Sequence, residues 1–135
     1  MFIPLKISST ILKLFSSKVA AGFPSPADDY VEKGLSLDDL LIQHPSATYL
    51  ARANGHSMTG AGIFDNDILI VDRAETPKNG SIVIASIDGE LTCKYLNTSL
   101  KQLRSANPRY APIQISDDAE VLIEGVVTAS IRNHQ

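Results

Sequence analysis

Ser57, in the run Gly55-His56-Ser57-Met58, and the isolated Lys94 are the two residues of this chain whose types could together cut a peptide bond. A serine hydroxyl is a weak nucleophile until a neighbour takes its proton. Lysine can do so only as the neutral amine, and burial favours that form by disfavouring the ammonium. The element that would position Lys94 is legible. Asp88-Gly89 predicts a two-residue hairpin turn, because a type I′ turn needs positive φ at both central residues. Opposite residues then pair as Ile87 with Glu90, Ala85 with Thr92 and Val83 with Lys94, which places Lys94 on a face with Val83, Ala85 and Leu96. Such neighbours are poor hosts for an ammonium ion. Ser57 is followed by Thr59, Gly60 and Gly62, a permissive loop at a strand end whose backbone N–H groups could face a developing oxyanion.

Each residue also has a plainer reading. Lysine on an edge strand commonly snorkels to solvent and discourages edge-to-edge pairing, and on hairpin chemistry alone that reading is favoured for Lys94. A glycine-rich loop by itself is weak support for a nucleophile. Other chemistries fare worse on the same residues. The nucleophile elbow of α/β-hydrolases needs glycine two places either side of serine, but position 59 is threonine and no βαβ alternation surrounds it. A Ser-His-Asp triad would have to recruit His44, His56 or His134. His56 adjoins the serine and is badly placed to reach back, and the others have no local signature. Three dispersed histidines and one cysteine lack zinc-ligand spacing, so no metal and no cofactor is expected. Asp65, Asp67 and Asp72 hint at calcium, but the glycine and closing glutamate of a binding loop are missing, and these carboxylates are expected to shape the turn into the Ile68–Val71 strand.

Composition narrows the class. At 135 residues and 44% hydrophobic, the chain suits one ordinary core with an arm. Twelve Lys and Arg against fifteen Asp and Glu give a net charge of −3, with the basic residues scattered, so direct nucleic-acid binding is not expected. The single cysteine, Cys93, excludes an internal disulfide framework and fits a reducing compartment, the cytoplasm. Val19-Ala20-Ala21 before Gly22 has the small residues of a secretory cleavage site. Ser8, Ser9, Thr10, Lys13, Ser16, Ser17 and Lys18, however, interrupt the apolar stretch a signal requires. No segment approaches the ~18 apolar residues of a membrane span.

Along the chain, residues 1–30 read as an arm. Ile7, Ile11, Leu14 and Phe15 have near-helical spacing, predicting a partly helical start, and Phe23-Pro24-Ser25-Pro26 forces extended backbone. Ser36-Leu37-Asp38-Asp39 matches a capping box that opens a short helix through Leu40, Leu41 and Ile42, stopped by Pro45. Strands are predicted at 48–53, 68–72, 81–87, 90–96, 101–104 and 121–131, so residues 31–135 are expected to form one mostly β domain of twisted antiparallel sheet.

Several separated blocks also resemble, in order, the LexA/UmuD family of self-cleaving serine peptidases. They are Ala21-Gly22-Phe23-Pro24-Ser25-Pro26-Ala27-Asp28-Asp29-Tyr30-Val31-Glu32, His44-Pro45-Ser46-Ala47-Thr48-Tyr49, Gly55-His56-Ser57-Met58, Asp65-Asn66-Asp67 with the following strand, Gly80-Ser81-Ile82-Val83-Ile84-Ala85, and Asp88 to Lys94. The resemblance implies that Ser57 is the nucleophile, Lys94 its general base, and Ala21-Gly22 the scissile bond. Backbone N–H groups of His56 and Ser57 would hold the oxyanion. It further implies cleavage stimulated by a RecA filament on single-stranded DNA during the SOS response. The trimmed homodimer would then be an accessory subunit of an error-prone translesion DNA polymerase of the UmuC type. Alanine stands where the best-known member has cysteine before the scissile glycine, which keeps that position small. The chain leaves no room for the helix-turn-helix domain of the family's repressors. Two other classes stay open: a non-cleaving protein-interaction module regulating a polymerase, and a signal-peptidase-like Ser-Lys protease, which would want a membrane anchor.

Overall fold

A computed structural model describes residues 10–15, 19, 21, 32–117 and 120–135. The chain divides into two compact units, 1–43 and 44–135. Strand pairing builds the first. Strand β1 (Ile11–Phe15) runs antiparallel to β2 (Glu32–Ser36), with Ile11 opposite Ser36 and Phe15 opposite Glu32. The near-helical spacing of Ile11, Leu14 and Phe15 is therefore overridden by extended backbone, while Ile7 lies outside the described residues. A segment this short cannot nucleate a helix alone, whereas pairing with a neighbour satisfies its peptide groups at once. Helix α1 (Leu37–Leu41) follows directly: Ser36 is extended (φ −94°, ψ 143°) and its Oγ accepts the Asp39 N–H at 3.1 Å. That is the N-cap the sequence predicts.

The second unit is one antiparallel sheet of seven strands. They are β3 (Thr48–Arg52), β4 (Ile68–Asp72), β5 (Ile82–Ile87), β6 (Glu90–Asn97), β7 (Gln102–Arg104), β8 (Ile113–Gln114) and β9 (Val121–Ile131), in spatial order β3-β4-β9-β5-β6-β7-β8. The last strand thus lies between β4 and β5, and its register shifts against both, opposite Ile70/Val71 and Ile84/Ala85. Such bulges bend and twist a strand.

Consecutive residues of β5 supply two apolar clusters. Ile84 packs with Ala53, Met58, Ile63, Leu69 and Val71, whereas Val83 and Ala85 pack with Leu103 and Val126. Side chains alternate across a strand, so a strand covered on both faces reads as an unbroken apolar run, which is what Ile82-Val83-Ile84-Ala85 is. This buried strand carries the hairpin partner of Lys94.

Candidate active site

The β5–β6 hairpin turns at Asp88 (φ 48°) and Gly89 (φ 87°), and its pairs are Ile87/Glu90, Ala85/Thr92 and Val83/Lys94, the register predicted from the turn dipeptide. Val83 and Ala85 are fully buried and Lys94 is only 8% exposed. Burial is the main influence on its ammonium and lowers its pKa below the ordinary lysine value, with an opposing contribution from Cys93. Lys94 Nζ lies 2.7 Å from Ser57 Oγ and 3.2 Å from the Cys93 carbonyl oxygen. At that distance a neutral amine accepts the serine proton, while a charged one donates to the hydroxyl oxygen.

Ser57 is set by its neighbours in sequence. Met58 is buried in the core and its carbonyl accepts the N–H groups of Ala61 and Ile63 at 3.0 and 3.2 Å. A second segment, following β7, clasps the same turn: the Ala106 N–H donates to the Ser57 carbonyl at 2.8 Å, and the Gly60 N–H donates to the Ala106 carbonyl at 2.7 Å. Any β-carbon at position 60 would collide with that Ala106 oxygen, so glycine is needed there for close approach. Ser57 and Lys94 both line a cleft of about 250 Å³ bounded by Ala51, Arg52, Ala53, Ile84, Leu91 and Thr92 among others. Cys93 lines it too, but burial pushes its thiol up to about 11, so it is protonated and a poor nucleophile at neutral pH.

The remaining residues singled out by sequence serve separate partners. Asp65 accepts the Gly55 N–H at 2.8 Å and so ties down the start of the serine turn. Asp67, 2% exposed, accepts the Phe64 N–H and a fork from Arg132, whose Nε and one terminal nitrogen each lie 2.9 Å away. The same guanidinium reaches the Gly62 carbonyl at 2.9 Å and stands 4.0 Å above the Phe64 ring. Asp72 accepts the Ala74 N–H at 2.8 Å and pairs with His44 at 2.6 Å. The three aspartates thus each answer to a different protein partner, and no hydrogen bond joins Ser57 to a histidine among the described residues. His44, Asp72 and Glu75 offer ligand atoms within 4.8 Å of one another. The His44–Asp72 contact is nonetheless a charge-assisted hydrogen bond, which lifts the imidazole pKa and lowers the carboxyl's, and a cation would have to break it. Ala21 is exposed in the first unit, and Gly22 lies outside the described residues.

Sequence reasoning missed the Arg132–Asp67 clamp and the 105–110 segment. The first joins residues 65 apart with no local signature, and the second offered only the turn dipeptide Asn107-Pro108. The clamp has a measurable consequence. The Arg132 hydrogen bonds, with help from the Phe64 N–H, hold the Asp67 carboxyl down to about 2. A carboxyl depressed in the folded state contributes stability above its unfolded value, and that contribution fades as pH falls toward the folded one. Thermal melts should therefore show Asp67→Asn less stable than the parent at neutral pH, with the gap narrowing between about pH 4 and pH 2. A gap independent of pH would contradict the clamp.

A mostly β unit with a serine and a buried lysine in contact across one cleft has the layout of a serine peptidase that uses an amine as its base. Residues 13–128 match the family described as Peptidase S24-like. The chain is 44% identical over 126 residues to Protein ImpA of Salmonella typhimurium, covering 89% of this chain and 83% of that protein. It is 41% identical over 125 residues to Protein MucA of Escherichia coli, covering 91% and 86%. LexA repressor 1 of Xanthomonas campestris is 41% identical over 118 residues, which is 85% of this chain but 58% of the repressor. The chain belongs to the Peptidase S24-like family, a family of self-cleaving serine peptidases, and within it to the UmuD-like members.

Proposed function

We propose that this chain cleaves its own Ala21–Gly22 bond, residues 1–30 serving as the tethered substrate arm and residues 31–135 as the peptidase and dimerisation domain. The observation that carries the reading is the 2.7 Å approach of Lys94 Nζ to Ser57 Oγ at an 8%-exposed lysine. When the arm brings the Ala21 carbonyl carbon within about 3.5 Å of Ser57 Oγ, the neutral amine takes the hydroxyl proton and a bond forms between Oγ and that carbon. The carbonyl oxygen becomes an oxyanion held by the N–H groups of His56 and Ser57. Collapse breaks the carbon–nitrogen bond, the ammonium of Lys94 gives its proton to the Gly22 nitrogen, and water then hydrolyses the ester through the same base. Because the substrate is covalently tethered, the rate is governed by docking of the arm and desolvation of Lys94. That is where a RecA filament on single-stranded DNA acts in this reading.

The trimmed homodimer is then a cytoplasmic accessory subunit of an error-prone, UmuC-type translesion polymerase made in the SOS response. Its likeness to ImpA and MucA and the ordered motif blocks support that context. The net charge of −3 supports protein partners rather than direct contact with nucleic acid. A signal-peptidase-like role at membranes has less support, since no helix among the described residues is long and apolar enough to cross one. The test is intact-mass analysis of purified full chain held at alkaline pH, and again with an activated recombinase filament. A product beginning at Gly22 is expected, faster with the filament. A chain that stays whole in both would leave the non-cleaving interaction module as the better reading.

A further inference from the structure

We infer that Asn107 is a positioning residue that aims the backbone N–H of Ser57 as oxyanion donor, a role that rests on Ser57 being the nucleophile. Asn107 Nδ2 donates to the His56 carbonyl oxygen at 2.9 Å and lies 3.4 Å from Thr59 Oγ1. At the other end of the amide, Oδ1 accepts the Arg109 N–H at 3.0 Å, so donor and acceptor are both committed and the amide has one orientation. The His56 carbonyl belongs to the same peptide group as the Ser57 N–H. In a trans peptide these two point in opposite directions, so drawing the carbonyl toward Asn107 turns the Ser57 N–H away from it. The next peptide is treated alike, because the Ala106 N–H holds the Ser57 carbonyl at 2.8 Å. Residues 105–107 do not line the cleft, whereas Gly55, Ser57 and Met58 do. The peptide that carries the Ser57 N–H is thus pinned by its carbonyl edge from outside the cleft, leaving that N–H for its interior, and the Ala106 bond fixes the peptide that follows.

Asn107 could instead be a simple turn cap, valued only for accepting the Arg109 N–H. Substitutions separate the two roles. Asn107→Asp keeps that acceptor and the shape but opposes the His56 carbonyl with an anionic oxygen. Asn107→Ala removes both bonds without changing charge. Asn107→His restores a ring N–H donor near the amide position. Full chains, assayed well below the lowest melting midpoint of the set, should show the alkaline plateau of self-cleavage falling roughly 10²-fold in the aspartate and alanine variants, the scale of a lost oxyanion donor. The alanine variant should keep the parent's pH midpoint, and the histidine variant should recover part of the rate. Affinity for a short alanyl boronic acid, whose serine adduct places an anionic oxygen where the oxyanion forms, should fall in step with the rate. An aspartate variant that cleaves like the parent, or boronate affinity unchanged while the rate falls, would overturn the inference. A Ser57→Ala chain run alongside keeps the two readings apart. If it still cleaves, the nucleophile assignment fails. If it is inert while Asn107→Asp is normal, only the role of Asn107 fails.

Discussion

Ser57→Ala should abolish release of the leader, with a rate loss of at least about 10⁴-fold, while leaving the melting temperature close to that of the parent chain. The size follows from the chemistry: without Oγ no acyl-enzyme forms, and what remains is the slow attack of water on an ordinary peptide bond. The small effect on stability follows from packing. The turn is held by Met58 in the core, by the Asp65–Gly55 bond and by the Ala106 and Asn107 bonds, none of which uses the serine hydroxyl. Intact mass and a thermal melt of the same sample check both halves. A shortened product from pure Ser57→Ala protein would remove Ser57 from the mechanism.

Lys94→Arg should be as inert as Lys94→Ala, because a guanidinium keeps its proton at any pH the fold survives and cannot act as the base. In the parent, the self-cleavage rate should climb about tenfold per pH unit while the ammonium is the dominant form. It should level off once pH passes the folded pKa of Lys94, which lies below the ordinary 10.5. The arginine chain should show neither the climb nor the plateau. The same shift makes a statement about stability. A lysine whose pKa is lower when folded binds its proton more readily when unfolded, so its ammonium form opposes folding, and that opposition fades as pH rises toward the unfolded value. Lys94→Met should therefore melt higher than the parent at neutral pH and lose that advantage on the alkaline side. A methionine chain that melts lower at neutral pH would argue that the amine is already well accommodated as a cation.

How much of this was legible depends on how local each signal is. The Val83/Lys94 pairing could be read because one turn dipeptide fixes the register of a whole hairpin, and the cap at Ser36 because capping is settled within four residues. Strand β9 was read at its observed bounds because it is long and rich in β-branched and other apolar residues. The arm was misread because Ile11, Leu14 and Phe15 fit a helical stripe as well as a strand, and the choice fell to a partner, β2, whose sequence Glu-Lys-Gly-Leu-Ser has no strand pattern. At the site, the sequence singled out two side chains that the fold brings into contact. What holds them was hidden, since the Asn107–His56 and Arg132–Asp67 contacts join residues 51 and 65 positions apart.

The place of β9 bears on when the chemistry can begin. The serine turn hangs from β3 and β4, the lysine stands on the β5–β6 hairpin, and the strand that zips these two portions together follows both of them in the chain. A nascent chain that has emerged only as far as residue 120 carries Ala21, the Ser57 hydroxyl and the Lys94 amine, yet lacks the central strand and the Arg132 clasp. Long-range pairing of that kind forms late, so the contact proposed to cut the Ala21–Gly22 bond waits until β9 has been translated.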